Sequence, residues 1–273
     1  MLASKKIGLI AGEGDIPILL IEAWKQQSII PVIVNLTGRT DFGDACEKCF
    51  SMGQVGHIVS YLKVHDVTEL VIIGKVSRPN FFRLRADIKG LKLIAQLLMD
   101  RVTRGDDGLL KFVRRALEGY GFYIQAAQDF LPQLLCPCGV LTKTAPMESD
   151  MSAISAGFLV AKEHGQMDKG QSVVLCDGTV SGVEGIEGTN YLIAHANSEG
   201  RKILIKVSKP QQDMALDAPT IGPATIKILS EHGFSGLVVE AGRTLVIDKD
   251  IVLRLCNDAG MFLVGTKDGH LAT

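Results

Sequence analysis

The sequence predicts an α/β protein of two mixed domains, the first built on a parallel sheet, and three observations carry the prediction. Short aliphatic runs alternate with segments of helical periodicity through the first half of the chain, the pattern of a parallel sheet with helices on its faces. Hydrophobic residues make up 47% of the sequence but aromatics only 5%, so aliphatic side chains must fill the core, as they do in strands buried on both faces. Between Leu131 and Pro146 the periodicity fails and Pro132, Pro137 and Pro146 accumulate, which excludes long elements there. The chain therefore divides into a domain over 1–130, a linker over 131–147 and a second domain over 148–273, and 273 residues suffice for a core in each.

Taken in order, Lys6–Ala11 is a short apolar run stopped by Gly12, which reads as a buried strand. Gly12-Glu13-Gly14-Asp15-Ile16-Pro17 turns the chain into a helix over Ile18 to Gln27, with proline near the start where a missing N–H is tolerated. Ile30–Asn35 supplies a second strand, Val55–Val64 a second helix and Glu69–Gly74 a third strand. Helices over Asp87–Arg101 and Gly108–Tyr120 are separated by Thr103-Arg104-Gly105-Asp106-Asp107, and Phe122–Gln125 adds a strand. Past the linker, Ser152–His164 predicts a helix, and Gln171–Cys176 with Thr179–Glu184 a hairpin-like pair about Gly178. Lys202–Val207 is a strand and Pro223–Glu231 a helix closed by Gly233, before strand, turn, strand, helix and strand run through Leu237 to Val264.

A net charge of −1 gives no field to attract a polyanion, so nucleic acid is set aside as a partner. No stretch reaches the apolar length of a transmembrane helix, and the first six residues run into a strand rather than a signal-peptide core. A cytoplasmic protein is expected, with contact to a membrane surface left open. The six cysteines are scattered. Cys46-Glu47-Lys48-Cys49 has the spacing of half a zinc site, but Cys136-Pro137-Cys138 is too tight to complete it and no His pair lies nearby.

Five segments carry candidate chemistry. Gly12-Glu13-Gly14 joins a strand to a helix, where backbone N–H groups seat phosphate. It matches only half of the dinucleotide fingerprint, since Pro17 replaces the third glycine and Glu13 and Asp15 repel anions, so a plain tight turn stands beside the nucleotide reading. Gly74-Lys75-Val76-Ser77-Arg78-Pro79 follows a parallel strand, where two cations suit a diphosphate. No GxxxxG precedes the lysine, which argues against an ATPase, and a solvated turn is the bland alternative. Gly105-Asp106-Asp107 reads first as a helix cap, with a metal or substrate role for Asp107 as the minority reading. Glu184-Gly185-Ile186-Glu187-Gly188-Thr189-Asn190 sets two carboxylates and a hydroxyl among glycines, a composition that packing does not require and that hard-oxygen binding of Mg²⁺ does.

The richest segment runs from Lys206 through Lys209-Pro210-Gln211-Gln212-Asp213 to Asp217-Ala218-Pro219-Thr220-Ile221-Gly222. Asp213 and Asp217 stand four apart, so a helical turn would set them on one face to hold a metal or position a water. Lys209 is the candidate to neutralise phosphate charge. The bland reading is a polar surface loop with a helix cap at Thr220.

The ordered series of these motifs, spanning nearly the whole chain, resembles the UDP-2,3-diacylglucosamine pyrophosphatase family, formerly catalogued as a domain of unknown function. That resemblance implies an N-terminal Rossmann-like domain, a linker and a C-terminal catalytic α/β domain, with substrate held between. It implies cleavage of the pyrophosphate of UDP-2,3-diacylglucosamine to UMP and lipid X in lipid A biosynthesis, dependent on Mg²⁺ or another divalent cation. The UDP-linked acylated glucosamine is the expected partner, met at the inner membrane surface, with a homodimer left open. By the same likeness Asp217 ranks first as the essential carboxylate, then Asp213, with Lys209 beside them. Asp217, Glu184 and Glu187 are the metal candidates, and Gly12, Gly14, Asp15, Lys75, Arg78, Pro79, Asp107, Thr189 and Thr220 the substrate contacts. The chain departs from the family pattern at Asn190, where aspartate is usual, and at Ala215, where arginine is usual. A divergent member that binds a nucleotide-sugar or lipid precursor without turnover is therefore the alternative.

Overall fold

The computed structural model describes residues 6–43, 46–75, 85–99, 106–196 and 199–270. The chain forms two compact units, Met1–Pro132 with Asp213–Asp217, and Gln133–Gln212 with Ala218–Thr273.

The first unit is a five-stranded parallel sheet in the order β3-β2-β1-β4-β5. Its strands are β1 (Lys6–Ala11), β2 (Val32–Asn35), β3 (Cys46–Cys49), β4 (Val67–Ile73) and β5 (Tyr123–Gln125). β1 past Lys6 and all of β2 are buried, which is why both read as largely apolar runs, closed in β2 by Asn35, rather than alternating ones. The helix α1 (Ile16–Gln26) carries Pro17 in its first turn and buries Leu20, Ile21 and Trp24, and the Trp24 ring meets Phe130 edge-on at 5.3 Å. α2 (Val55–Val64) buries Ile58, Val59 and Leu62, spaced on one helical face. These side chains join Val32, Val34, Leu70 and Ile124 in a core that Ala215 and Leu216, from far along the chain, also enter. α3 (Ile88–Met99) and α4 (Asp106–Gly119) complete the unit.

The second unit is built on a six-stranded mixed sheet, ordered β6-β13-β11-β9-β7-β8. β9 (Lys202–Lys206), β11 (Phe234–Glu240) and β13 (Phe262–Thr266) are parallel, while β6 (Gly139–Val140), β7 (Ser172–Cys176) and β8 (Thr179–Val183) extend the sheet antiparallel at its sides. Strand alternation feeds two cores. Val173, Leu175, Ile203, Ile205 and Val238 face α5 (Glu148–Gln166), through Ile154 and Phe158. Val174, Leu204, Leu237 and Val239 face the other way, toward Ile193 of α6 (Thr189–Ala194), Ile226 and Leu229 of α7 (Pro223–Glu231), and Val252 and Cys256 of α8 (Lys249–Asp258). A small parallel pair, β10 (Thr220–Ile221) with β12 (Leu245–Val246), stands apart from the main sheet.

Most predicted elements are present, and α2 and α7 keep their predicted bounds. The differences have local causes. α5 begins at Glu148 rather than Ser152 because the Asp150 carboxylate accepts the Met147 N–H at 2.8 Å, a side-chain cap that adds a turn. The stretch expected as linker supplies β6 to the second sheet, and Cys136 to its core. β3 and α6 are too short to show a period, and only pairing and packing reveal them.

Candidate functional site

Two predicted loops come together in the first unit. β1 and β4 are neighbours, yet the sheet continues from β1 to β2 on one side and from β4 to β5 on the other. Their carboxyl ends thus form a topological switch point, the place where open α/β sheets hold ligands. Gly12–Asp15 leaves β1 there and Gly74–Lys75 leaves β4. Gly12 N–H donates to the Ile73 carbonyl at 2.9 Å, and Glu13 and Lys75 exchange backbone bonds of 2.8 and 2.9 Å. The approach demands glycine at position 12, since a Cβ would stand 2.6 Å from the Gly74 carbonyl carbon. Gly14 adopts φ 98° and its carbonyl accepts Arg39 Nη1 at 2.5 Å. Asp15 caps α1 through its backbone carbonyl, which accepts Ile18 and Leu19 N–H at 3.0 Å, and its side chain is exposed, as is Lys75. Asp107 stands in the first turn of α4. Arg78 and Pro79 lie outside the described residues.

Arg39 escaped the sequence reading. Buried Asn35, at the end of β2, accepts Thr37 and Gly38 N–H at 2.9 Å and donates to the Arg39 carbonyl at 2.7 Å. This fixes the loop that presents the guanidinium. Asp41 pairs with Arg39 at 2.6 and 2.9 Å, holding the guanidinium protonated and the carboxyl below the usual carboxylate range. No motif marks this residue, because Asn-x-x-x-Arg has a role only once the loop after β2 is folded.

The segment Lys209–Gly222 is divided between the units, with Asp213–Asp217 in the first and its flanks in the second. Asp217 N–H donates to the Asp213 carbonyl at 2.9 Å, so the two aspartates are related by one helical turn of backbone. The Asp213 carboxylate is already engaged: Arg114 Nη1 lies 2.7 Å from both of its oxygens and Ala215 N–H 3.1 Å from one. Asp217 is half-buried. Lys209, in the second unit, pairs at 2.6 Å with Asp168 and is 11% exposed, so its charge is neutralised locally. Thr220 donates to the Ala218 carbonyl at 3.0 Å and its own carbonyl accepts Lys206 Nζ at 3.2 Å.

Glu184 is buried, and its carboxylate ties the strand end to α6: one oxygen accepts Gln171 N–H at 3.0 Å and the other the Thr189 hydroxyl at 2.9 Å. Thr189 therefore faces inward. Glu187 and Asn190 are exposed.

Two family models cover the chain. The LpxI N-terminal domain matches residues 6–134 and the LpxI C-terminal domain residues 137–264. The chain belongs to the LpxI family. Among curated LpxI proteins it is similar to the UDP-2,3-diacylglucosamine pyrophosphatase LpxI of Caulobacter vibrioides, 33% identical over 96% of this chain and 97% of the relative.

For an LpxI protein, a divalent cation is the cofactor that the motifs suggest. Among the described residues no group of three or more His, Cys, Asp or Glu is arranged to hold a metal ion. Mg²⁺ asks less of the protein, because one or two carboxylates serve when substrate phosphate supplies further oxygens. Both oxygens of Glu184 are bonded within the fold, so it suits that role poorly; Asp217 is half-buried and Glu187 exposed.

Proposed function

We propose that this protein hydrolyses the pyrophosphate bond of UDP-2,3-diacylglucosamine to UMP and lipid X in lipid A synthesis, dependent on Mg²⁺ or another divalent cation. The observation that carries this reading is the match to a protein of that name along almost the full length of both chains. The paired loops at the switch point of the first sheet support it, because Gly12–Asp15, Gly74–Lys75 and Arg39 converge where a nucleotide-sugar diphosphate would sit.

In this reading Asp217 is the essential carboxylate. Both carboxylate oxygens of Asp213 are engaged by Arg114, which leaves it poorly placed to meet a water. Water adds to one phosphorus of the anhydride, its proton passes to Asp217, and the bridging oxygen leaves with the other phosphoryl group. A bound Mg²⁺, held by Asp217 or Glu187, would neutralise diphosphate charge. In this reading the protein works in the cytoplasm and meets its substrate at the inner membrane surface, where the acyl chains of that substrate reside; no helix among the described residues is long and apolar enough to cross a membrane.

Purified protein incubated with UDP-2,3-diacylglucosamine and Mg²⁺ is expected to release UMP, and Asp217→Ala to abolish release while the protein still melts cooperatively. Substrate that binds without cleavage under any divalent metal would favour the alternative of a binding protein, to which Asn190 and Ala215 point. Recovery of turnover in Asn190→Asp with Ala215→Arg would then locate the defect.

A further inference from the structure

The second unit contains a cationic cluster that no motif announced. Glu240, the last residue of β11, is 7% exposed and lies at the carboxyl edge of the parallel strands. Its Oε2 accepts Lys162 Nζ at 2.6 Å, Ser208 N–H at 2.8 Å and the Ser208 hydroxyl at 2.7 Å. Lys162 also donates to the Ser208 carbonyl at 2.9 Å and hydroxyl at 3.2 Å. An ammonium has three N–H donors, and these three acceptors occupy them. Lys162 and Glu240 thus form a closed, neutral pair.

Arg243 is the additional charge. After β11 the chain makes a tight turn: Thr244 N–H returns to the Glu240 carbonyl at 3.0 Å, Gly242 N–H reaches the Cys136 carbonyl at 2.8 Å, and Gly242 takes φ 72°, which favours glycine. The turn lays the Arg243 guanidinium over the cluster, with Nη1 3.3 Å from Ser208 Oγ and Nε 3.6 Å from Glu240 Oε1. Glu240 is already matched by Lys162, so one positive charge is left over, on a side chain 45% exposed and anchored at two points. A guanidinium has five N–H donors in a fixed fork suited to oxyanions. The nearby lysine of the motif, Lys209, is balanced by Asp168.

We infer that Arg243, steadied by Ser208 and Glu240, forms an anion site of the second unit that takes a phosphate or diphosphate group. Identifying the ligand as part of the substrate rests on the hydrolase reading above, while the anion site itself does not. The phosphate contact expected of Lys209 passes to Arg243, with Ser208 and Glu240 as positioning residues.

Inorganic pyrophosphate, titrated into the full chain by calorimetry with and without Mg²⁺, probes the site apart from turnover. Wild type is expected to bind, Arg243→Ala to bind at least tenfold more weakly, and Arg243→Lys, which keeps the charge but not the fork, to fall between. With UDP-2,3-diacylglucosamine, Arg243→Ala is expected to raise KM more than it lowers kcat. Thermal melting of each variant shows whether the fold is intact, and Arg243→Gln replaces Arg243→Ala if the smaller side chain disturbs it. Wild-type affinity for pyrophosphate in the neutral variant, or no binding by wild type, overturns the inference. Arg243-dependent pyrophosphate binding without hydrolysis by wild type would keep the site and remove the hydrolase reading.

Discussion

Arg114 on α4 and Asp213, 99 positions later, are joined by a single guanidinium nitrogen that lies 2.7 Å from both carboxylate oxygens. The pair ties the stretch Asp213–Asp217 to the first unit, where Ala215 and Leu216 pack against the core. With side chains 29% and 11% exposed, the contact is more than a surface ion pair, and about 1–2 kcal/mol of coupling is expected. A double-mutant cycle of Arg114→Met and Asp213→Asn, followed by denaturant unfolding, measures it. Coupling below about 0.3 kcal/mol would return Asp213 to the list of residues available for chemistry.

Gly12 and Gly14 are expected to fail for different reasons. Alanine at position 12 drives a Cβ to 2.6 Å from the Gly74 backbone, which has no flexible end to yield. Unfolding free energy is expected to drop by about 2–3 kcal/mol. At position 14 nothing lies within 4 Å of the built Cβ, so only the positive φ resists, and about 1 kcal/mol is expected. Equal losses in urea unfolding would mean that the loops do not approach as described.

Asp150 gives the second unit an acid-sensitive contact. Burial would raise its carboxyl, but hydrogen bonds from Arg201 and the Met147 N–H outweigh that and hold it below the usual range. With the folded value depressed, its contribution is complete above the unfolded value of about 3.9 and disappears as pH falls through the folded value. Asp150→Asn is expected to cost about 2 kcal/mol at neutral pH. Its melting temperature should converge on that of wild type only as the pH drops below about 4, and a gap that stays constant into acid would refute the linkage.

The thiols are expected to separate by burial. Burial pushes Cys136 up to about 12 and Cys256 up to about 11, and Cys176 is buried too, whereas Cys49 and Cys138 are exposed. At pH 8 on the order of one Cys136 thiol in 10⁴ is ionised, so an aromatic disulfide reagent should modify positions 49 and 138 before 136, 176 and 256. Mass spectrometry of tryptic peptides reads the order, and early labelling of Cys136 or Cys256 would contradict the packing.

The buried strands were legible because a strand covered on both faces is largely apolar along its length, as Ile7–Ala11 and Val173–Cys176 are. The motif loops were legible because glycine and charge concentrate there without a packing need. Glu184 and Thr189 looked like ligands for the same reason, and the structure turns them toward each other. Sequence records residue types but not the direction in which a side chain points.

Composition, periodicity and motif order alone determined the α/β class, most element positions and the family. Tertiary structure alone decided which charges are already matched: Asp213 by Arg114, Lys209 by Asp168 and Glu240 by Lys162. The physical reason is range. Strand and helix patterns arise among residues a few positions apart, whereas these ion pairs join residues 99, 41 and 78 positions apart, which only the folded chain brings within 3 Å.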